Sequence, residues 1–244
     1  MEIIVKPDSH CASRLAARFV AALISKRPKA VIGLASGSTP LQLYLELIHL
    51  HRAEGLDFSQ VTTFNLDEYC GLSPDHPSSY HHFMWTHLFE HINVSRERVN
   101  IPDGLTKDVP RFCQRYEELI KESGGIDLQI LGIGINGHIG FNEPSSSLNS
   151  KTRLTTLSPQ TIEANARFFR GAEKIPRHAI TMGIGTILNS RHCLLLAFGE
   201  EKAKAITGMV EGPVTASLPA SALQHHPRVS VLLDEAAAAQ LQHL

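Results

Sequence analysis

Residues 126–144 read IDLQILGIGINGHIGFNEP, and this stretch indicates both a fold class and a ligand site. The apolar run 126–131 is typical of a buried parallel strand, and the glycines from Gly132 onward follow its end. Ligands of open α/β sheets bind beyond the carboxyl ends of the strands, where glycines let the backbone approach a ligand closely. His138 and Glu143 place an imidazole and a carboxylate at this point.

Strand-like and helix-like segments alternate along the rest of the chain, which predicts an α/β fold with a mostly parallel sheet and helices on both faces. The predicted strands are 2–5, 30–35, 61–66, 126–131, 193–198 and 229–233. The predicted helices are 9–26, 40–51, 79–91, 108–122, 160–170, 200–210 and 234–242. We expect one domain over residues 1–244. The least regular segment, 144–185, is expected to contain a lid over the site.

Composition excludes several classes of partner. The chain of 244 residues is 43% hydrophobic and 19% charged, with a formal net charge of −1, so neither nucleic acid nor an anionic membrane is expected as a partner. No apolar run approaches the roughly 18–20 residues of a membrane span, and the first residues lack a signal-peptide pattern, which predicts a cytoplasmic protein. Four scattered cysteines show no metal-binding spacing, and no metal site is predicted.

The segment GLASGSTP, residues 33–40, places Ser36, Gly37, Ser38 and Thr39 between a predicted strand and a predicted helix. One interpretation is a tight turn in which a hydroxyl caps a helix that Pro40 opens. The other is a phosphate site at the helix N-terminus, where backbone N–H groups and hydroxyls bind the anion. No Walker lysine follows, which disfavours a nucleoside triphosphate.

The segment FNLDEY, residues 64–69, places two neighbouring carboxylates, Asp67 and Glu68, after a predicted strand. Neighbouring side chains of an extended chain point in opposite directions, so at most one of the two is expected to face a ligand. That carboxylate is either a turn residue or a general base for a proton next to a carbonyl or iminium carbon.

Gly132, Gly134 and Gly137 formally match the dinucleotide pattern G-x-G-x-x-G. The residues that follow form helices poorly, however, and a dinucleotide fold requires a helix there. His138 is therefore either a hydrogen-bonded structural histidine or one half of an acid–base pair with Glu143, whose charge would stabilise the imidazolium.

Taken together, these segments resemble the glucosamine-6-phosphate deaminases over essentially the whole chain. The matching segments are GLASGSTP, FNLDEY, GIGINGHIGFNEP, TIEANARFF (161–169), GEEKA (199–203) and GPVTASLPASALQHHP (212–227). The resemblance implies a Rossmann-like three-layer αβα fold, shared with ribose-5-phosphate isomerases and phosphogluconolactonases. The lactonases have a similar phosphate loop but lack the combination of NLDEY with GHIGFNEP.

The resemblance implies conversion of glucosamine 6-phosphate and water to fructose 6-phosphate and ammonia, without a metal or organic cofactor. It assigns opening of the sugar ring to His138, assisted by Asn136 and Glu143. It assigns proton transfer from C2 to C1 to Asp67. The implied phosphate ligands are Ser36, Gly37, Ser38, Thr39, Arg167 and Lys202.

Two features depart from the pattern of many relatives. Asn136 stands where many of them have aspartate, so we expect His138 to depend mainly on Glu143 for stabilisation of its charge. Ser146 and Arg153 match part of the effector site of hexameric relatives, but Thr155 stands where those relatives have lysine. The resemblance thus implies a short, unregulated enzyme that is a monomer or a low-order homo-oligomer.

Two alternatives remain open at the level of sequence. A 6-phosphogluconolactonase-like hydrolase would need no proton transfer at C2, so Asp67→Asn should barely affect it. A non-catalytic sugar-phosphate sensor would retain the phosphate ligands, and its response would survive replacement of Asp67. The intact set of Asp67, His138 and Glu143 argues against the sensor.

Overall fold

The computed structural model describes residues 1–166, 169 and 175–242, which form two sheets and the helices that flank them. The strands are β1 (Glu2–Lys6), β2 (Val31–Leu34), β3 (Thr62–Asn65), β4 (Asp67–Tyr69), β5 (Val99–Asn100), β6 (Leu128–Gly132), β7 (Arg153–Thr156), β8 (His178–Thr181), β9 (Cys193–Ala197) and β10 (Val229–Asp234). The α-helices are α1 (Ser9–Lys26), α2 (Leu41–Glu54), α3 (Tyr80–His87), α4 (Val109–Glu122), α5 (Pro159–Asn165), α6 (Ile184–Leu188), α7 (Ala203–Glu211) and α8 (Glu235–Ala238).

The main sheet has seven strands in the order β1-β10-β9-β6-β2-β3-β5. All of its strand pairs are parallel, which confirms the predicted fold class. Strand β9 and all but the last residue of β10 are buried, because helices cover both faces of a parallel sheet and force its strands to be apolar throughout.

Helix α1 shows how the sequence fixes one of these flanking layers. The Asp8 carboxylate accepts a hydrogen bond from the backbone N–H of Cys11 at 2.7 Å and so caps the first turn. Ala12, Ala16 and Val20 follow at helical spacing and are buried. These small side chains let α1 lie close against the sheet and against α2.

A second sheet of three antiparallel strands has the order β4-β8-β7, and the sequence did not predict it. Asp67 is paired with Thr181 in this sheet. The described part of the segment 144–185, in which a lid was expected, contains β7, α5, β8 and the start of α6. Ala179, Ile180 and Thr181 of β8 are fully buried, so this part of the segment belongs to the packed interior.

Three further details differ from the sequence-based predictions. The helix predicted at 234–242 ends at Ala238, and the one predicted from residue 200 begins with a 3-10 turn, Glu200–Lys202. The hydroxyl cap of α2, one of the two interpretations of residues 33–40, is absent: Pro40 occupies the N-cap position, and no side chain makes a cap hydrogen bond. None of the described helices is long and apolar enough to cross a membrane.

Candidate active site

A cavity of about 340 Å³ lies at the carboxyl ends of four adjacent strands of the main sheet, β9, β6, β2 and β3. Parallel strands bring their carboxyl ends to one edge, so segments distant in sequence meet there. The residues that line the cavity are Ala35, Ser36, Gly37, Ser38, Thr39, Leu66, Asp67, Tyr80, Gly132, Ile133, Gly134, Ile135, Asn136, His138, Gly140, Phe141, Gln160, Thr161, Ala164, Asn165, Glu201 and Lys202.

The loop Ser36–Thr39 borders the cavity between β2 and α2. Gly37 has a φ of +93°, a left-handed conformation that glycine adopts without strain and that turns the loop sharply. Because α2 lacks a side-chain cap, its N-terminus can interact with an anion in the cavity. Lys202, from the turn after β9, lines the same cavity. Arg167, the other predicted cationic ligand, lies outside the described residues.

Asp67 begins β4 and lines the cavity with a side chain that is almost fully buried. Ser36 Oγ donates a hydrogen bond to Asp67 Oδ1 at 3.4 Å. Burial, followed by the charge of Glu68, raises the pKa of Asp67 to about 8, while the bond from Ser36 opposes the shift. The carboxylate of Asp67 is therefore a stronger base than an exposed aspartate.

Glu68 lies outside the cavity, on the opposite side of β4 from Asp67. Its carboxylate accepts hydrogen bonds from the backbone N–H groups of Tyr69, Tyr80 and His81. Of these two carboxylates, Asp67 lines the cavity and Glu68 does not, as the alternation of side chains along an extended strand predicts.

His138, Asn136 and Glu143 form a hydrogen-bonded chain in the loop after β6. The imidazole Nδ1–H donates to Asn136 Oδ1 at 2.6 Å, and Asn136 Nδ2 donates to Glu143 Oε2 at 2.9 Å. The distance from His138 Nδ1 to Glu143 Oε2 is 3.7 Å. The direct hydrogen-bond partner of His138 is therefore Asn136, and Glu143 acts through its charge and by orienting the Asn136 amide. Because Nδ1 carries the proton, Nε2 is the nitrogen that can accept one.

The two titratable members of this chain are tuned by different forces. Burial lowers the pKa of His138, the Glu143 charge opposes this effect, and the Lys202 charge adds to it. Burial favours the protonated form of Glu143, but hydrogen bonds from Thr161, Asn136 and Ser158, together with the charge of a protonated His138, hold its pKa below its ordinary value. Glu143 is thus an anion that supports a neutral imidazole poised to gain a proton.

Two glycines allow the loop to adopt this arrangement. A Cβ on Gly134 would lie 2.1 Å from His138 Cε1, so the imidazole occupies the space of the missing side chain. Gly137 has a φ of +81°, and a Cβ there would lie 2.6 Å from Leu218 Cγ. The backbone N–H of Ala220 also donates to the Gly137 carbonyl at 2.9 Å. The segment around 218–220 therefore braces the loop that carries His138.

Several residues of the cavity wall were missed by sequence reasoning. Tyr80 stacks on Phe141 with ring centroids 5.9 Å apart, and its hydroxyl donates to the Tyr69 hydroxyl at 3.2 Å. Thr161 and Asn165 reach the cavity from α5. The only signal for α5 residues was the TIEANARFF segment, which matched the family but gave no side-chain roles. No local pattern distinguishes Tyr80 from an ordinary helix residue.

The residues that matched part of an effector site are engaged with the site loop. Arg153 donates from Nη1 to Asn142 Oδ1 at 2.8 Å and from Nη2 to Ser146 Oγ at 3.1 Å. Asn142 is buried and donates to the Ile139 and Met182 carbonyls, both at 2.8 Å. Arg153 therefore helps hold the segment that follows His138 against β8.

A parallel sheet whose strand ends bring a serine-rich loop and two acid–base centres around one cavity is typical of α/β enzymes that act on small molecules. The family model for glucosamine-6-phosphate isomerases/6-phosphogluconolactonase matches residues 8–232, and the chain belongs to this family. The resemblance inferred from the sequence motifs is thereby confirmed.

The chain is similar to curated relatives over nearly its whole length. It is 51% identical over 238 residues to a glucosamine-6-phosphate deaminase of Thermoanaerobacter pseudethanolicus, covering 98% of this chain and 94% of the relative. It is 52% identical over 244 residues to glucosamine-6-phosphate deaminase 2 of Bacillus subtilis, covering 99% and 98%.

Solved structures place the fold in the same group. A monomeric glucosamine-6-phosphate deaminase matches with a TM-score of 0.96 at 47% identity, covering 98% of this chain and 99% of that chain. A 6-phosphogluconolactonase of Trypanosoma brucei matches with a TM-score of 0.76 at 22% identity, covering 98% of each chain. The second similarity shows a shared fold alone.

Proposed function

We propose that this chain converts glucosamine 6-phosphate and water to fructose 6-phosphate and ammonia. Relatives of that activity share about half of its sequence over nearly the whole length. The observation that carries the proposal is that Asp67 and His138, two differently tuned acid–base groups, line one cavity beside the serine loop. This arrangement provides a group for each of the two proton transfers that the reaction needs.

The substrate phosphate binds to Ser36, Gly37, Ser38, Thr39 and Lys202, with Arg167 as a further predicted ligand. Hydroxyls, backbone N–H groups and the uncapped N-terminus of α2 provide the donors for a dianion. With the phosphate held there, the sugar ring extends toward the wall formed by the loop after β6. The phosphate thus fixes which carbon atoms face the acid–base groups.

Ring opening requires a proton to leave O1 and a proton to reach the ring oxygen O5. His138 performs both transfers through Nε2, because its Nδ1–H is committed to Asn136. The anionic Glu143 stabilises the imidazolium that forms between the two transfers, and it fixes the Asn136 amide that orients the ring. The product of this step is the open-chain aldehyde with the amine at C2.

Isomerisation then begins at Asp67, which removes the proton from C2 and returns it to C1. The ammonium group at C2 gives a proton to O1, so the intermediate is an enolamine. Protonation at C1 then converts C2 into an iminium carbon. Water adds to C2, and the C–N bond of the resulting carbinolamine breaks to release ammonia and leave the ketone. A carboxylate whose pKa is raised to about 8 is a stronger base toward the weakly acidic C2 proton.

Ammonia release from glucosamine 6-phosphate, compared between the wild type and Asp67→Asn, tests this proposal. We expect steady release from the wild type and a loss of at least about 10²-fold in the variant, because a general base typically contributes that much or more. Calorimetric binding of the substrate by the variant is the control for folding and for an intact phosphate site. A folded wild type that binds the sugar phosphate without releasing ammonia would refute the proposal in favour of the sensor.

The lactonase alternative predicts a different pattern in the same experiment. Such an enzyme would hydrolyse 6-phosphogluconolactone, and Asp67→Asn would barely change its rate. The proposal predicts negligible lactone hydrolysis, since the chain is 47–52% identical to the deaminases described above and 22% identical to the lactonase.

The proposal extends to the organisation of the chain. Residues 1–244 act as one cytoplasmic domain, which is a monomer or a low-order homo-oligomer; the solved relative described as monomeric supports the low order. Within 144–185, the proposed lid lies around α5, because Gln160, Thr161 and Asn165 line the cavity. Strand β8 is not part of the lid, since it is buried in a sheet. Light scattering in solution would measure the oligomeric state.

A further inference from the structure

Glu68 is a buried carboxylate next to the proposed C2 base that the reaction scheme does not use. Its side chain is 2% exposed, and it lies on the opposite side of β4 from the cavity. A buried charge without a role is costly, so its partners indicate what it does.

The partners of Glu68 connect β4 to the first turn of α3. Oε1 accepts from the backbone N–H of Tyr69 at 2.8 Å and from that of Tyr80 at 2.9 Å, and Oε2 accepts from that of His81 at 2.7 Å. Tyr80 and His81 are the first two residues of α3, whose next donor, the N–H of His82, bonds to Ser79 Oγ at 3.0 Å. Glu68 thereby satisfies N–H groups that would otherwise lack partners at the helix start.

These contacts determine where Tyr80 lies. Tyr80 lines the cavity and stacks on Phe141, whose backbone N–H is in turn held by Thr181 Oγ1 at 3.0 Å. Asp67 and Tyr80 therefore reach the cavity from two elements that the single carboxylate of Glu68 joins.

We propose that Glu68 is a positioning residue for the reaction proposed above: it fixes Tyr80 at the cavity wall and places a carboxylate directly behind Asp67. The expected kinetic effects of replacing Glu68 rest on the proposed function. The geometry of the carboxylate does not depend on that function.

The surroundings of Asp67 make the charge of Glu68 effective. The other titratable groups that act on or respond to Asp67 are the buried phenols of Tyr69 on the same strand, Tyr44 of α2, Tyr80 of α3 and Tyr116 of α4. Burial raises the pKa of each phenol above its ordinary value, so all four are neutral in the working pH range. Among the described groups, Glu68 supplies the largest charge effect on Asp67.

The two carboxylates are expected to titrate as a pair. Burial raises the pKa of Glu68 to about 7, while its three backbone hydrogen bonds oppose the shift. The Asp67 pKa of about 8 includes repulsion by the ionised Glu68. Glu68 thus strengthens the base at the expense of the fraction of Asp67 that is ionised at neutral pH.

Two substitutions separate the charge of Glu68 from its reach. Glu68→Gln keeps the size and one carbonyl acceptor but removes the charge. In the pH profile of kcat/KM for ammonia release, the rising limb that reports ionisation of Asp67 should move by roughly one pH unit toward acid. The plateau should be about tenfold lower, because Asp67 is then a weaker base. Glu68→Asp keeps the charge on a shorter stem, so its limb should stay in place while KM rises several-fold as Tyr80 moves.

Asp8→Asn is the matched control for loss of a charged helix cap. Asp8 caps α1 through the N–H of Cys11 and lies outside the cavity, so its variant should leave the pH limb and KM unchanged. A limb that stays in place in Glu68→Gln would overturn the proposal and reduce Glu68 to a structural cap.

Carbon-13 NMR titration of the Asp67 carboxyl carbon tests the same inference without turnover. We expect its midpoint to fall in Glu68→Gln and to stay near the wild-type value in Glu68→Asp. A wild type that releases no ammonia would refute the proposed function while the titration still decides the inference about Glu68. An unchanged midpoint in Glu68→Gln would refute the inference even in an active deaminase.

Discussion

Asp67 lines the cavity, whereas Glu143 lies behind the cavity wall and is hydrogen-bonded to Asn136, which lines it. The surroundings of these two carboxylates shift their pKa values in opposite directions. Asp67 receives one hydrogen bond of 3.4 Å and has a like charge beside it, so burial dominates and raises its pKa. Glu143 is also partly buried, but Thr161, Asn136 and Ser158 donate to it and hold its pKa low.

The difference shows that the balance between burial, hydrogen-bond donors and neighbouring charges, rather than burial alone, decides which carboxylate stays ionised. A strong base is needed where a C–H bond is broken, and a fixed anion is needed where an imidazolium forms. Pairs of titratable groups driven apart in this way identify the division of roles in an acid–base site.

The division of roles between the Asp67 region and the Glu143 region predicts the largest change in rate for His138→Gln. Without the imidazole, ring opening should become rate-limiting, and kcat should fall by about 10²–10⁴-fold. The same change should suppress the isotope effect of deuterium at C2 to near unity, because C–H cleavage no longer limits the rate. Rate measurements with protonated and C2-deuterated substrate would check this.

Asp67→Asn serves as the opposite case in that measurement, since C–H cleavage then limits whatever rate remains. Its isotope effect should equal or exceed that of the wild type. A full isotope effect in His138→Gln would contradict the proposal that His138 opens the ring and Asp67 transfers the C2 proton.

Asn136→Asp should have a smaller effect, which concerns the pKa values of His138 and Glu143. A carboxylate in direct contact with Nδ1 stabilises the imidazolium, so the pKa of His138 should rise. The substitution also removes the Asn136 amide that donates a hydrogen bond to Glu143, so the pKa of Glu143 should rise as well. NMR titration of the His138 ring measures the first shift, and an unchanged or lower pKa would contradict the argument.

The smallest expected effect concerns stability and again involves Asp67→Asn. The folded-state pKa of about 8 lies above the ordinary 3.8, so between these values the folded protein retains a proton that the unfolded chain loses. Stability therefore falls as pH rises through this window, and removing the carboxyl abolishes that loss.

Asp67→Asn should accordingly raise Tm relative to the wild type by about a few degrees near pH 8 and by less near pH 5. Thermal unfolding of both proteins across that range is the measurement. A Tm difference that is independent of pH would mean that folding does not raise the pKa of Asp67.

The main sheet and most of the site were predictable because their signals are local. Apolar runs such as 193–198 and 229–233 identify buried strands, and glycines after 126–131 mark the ligand edge. Strands β4, β7 and β8 were not predictable in this way. They are three or four residues long, and Asp67 pairs with Thr181, which lies far along the chain.

The electrostatic roles at the site were only partly predictable. Alternation along an extended chain correctly indicated that Asp67 and Glu68 diverge, but it did not decide which of them faces the cavity or reveal that Glu68 meets α3. The charge that stabilises the His138 imidazolium comes from Glu143, as expected, but the sequence did not reveal that the amide of Asn136 bridges the two side chains. Such bridges depend on loop geometry, which single-sequence patterns do not encode.

The pairing of β1 with β10 has a consequence for how the chain folds during synthesis. Glu2 pairs with Ser230, so β1 leaves the ribosome more than 200 residues before the strand with which it pairs. β2 and β3, by contrast, are neighbours in both sequence and space, and they can associate early. The N-terminal edge of the sheet is therefore completed last, and β1 must remain unpaired without aggregating until β10 arrives.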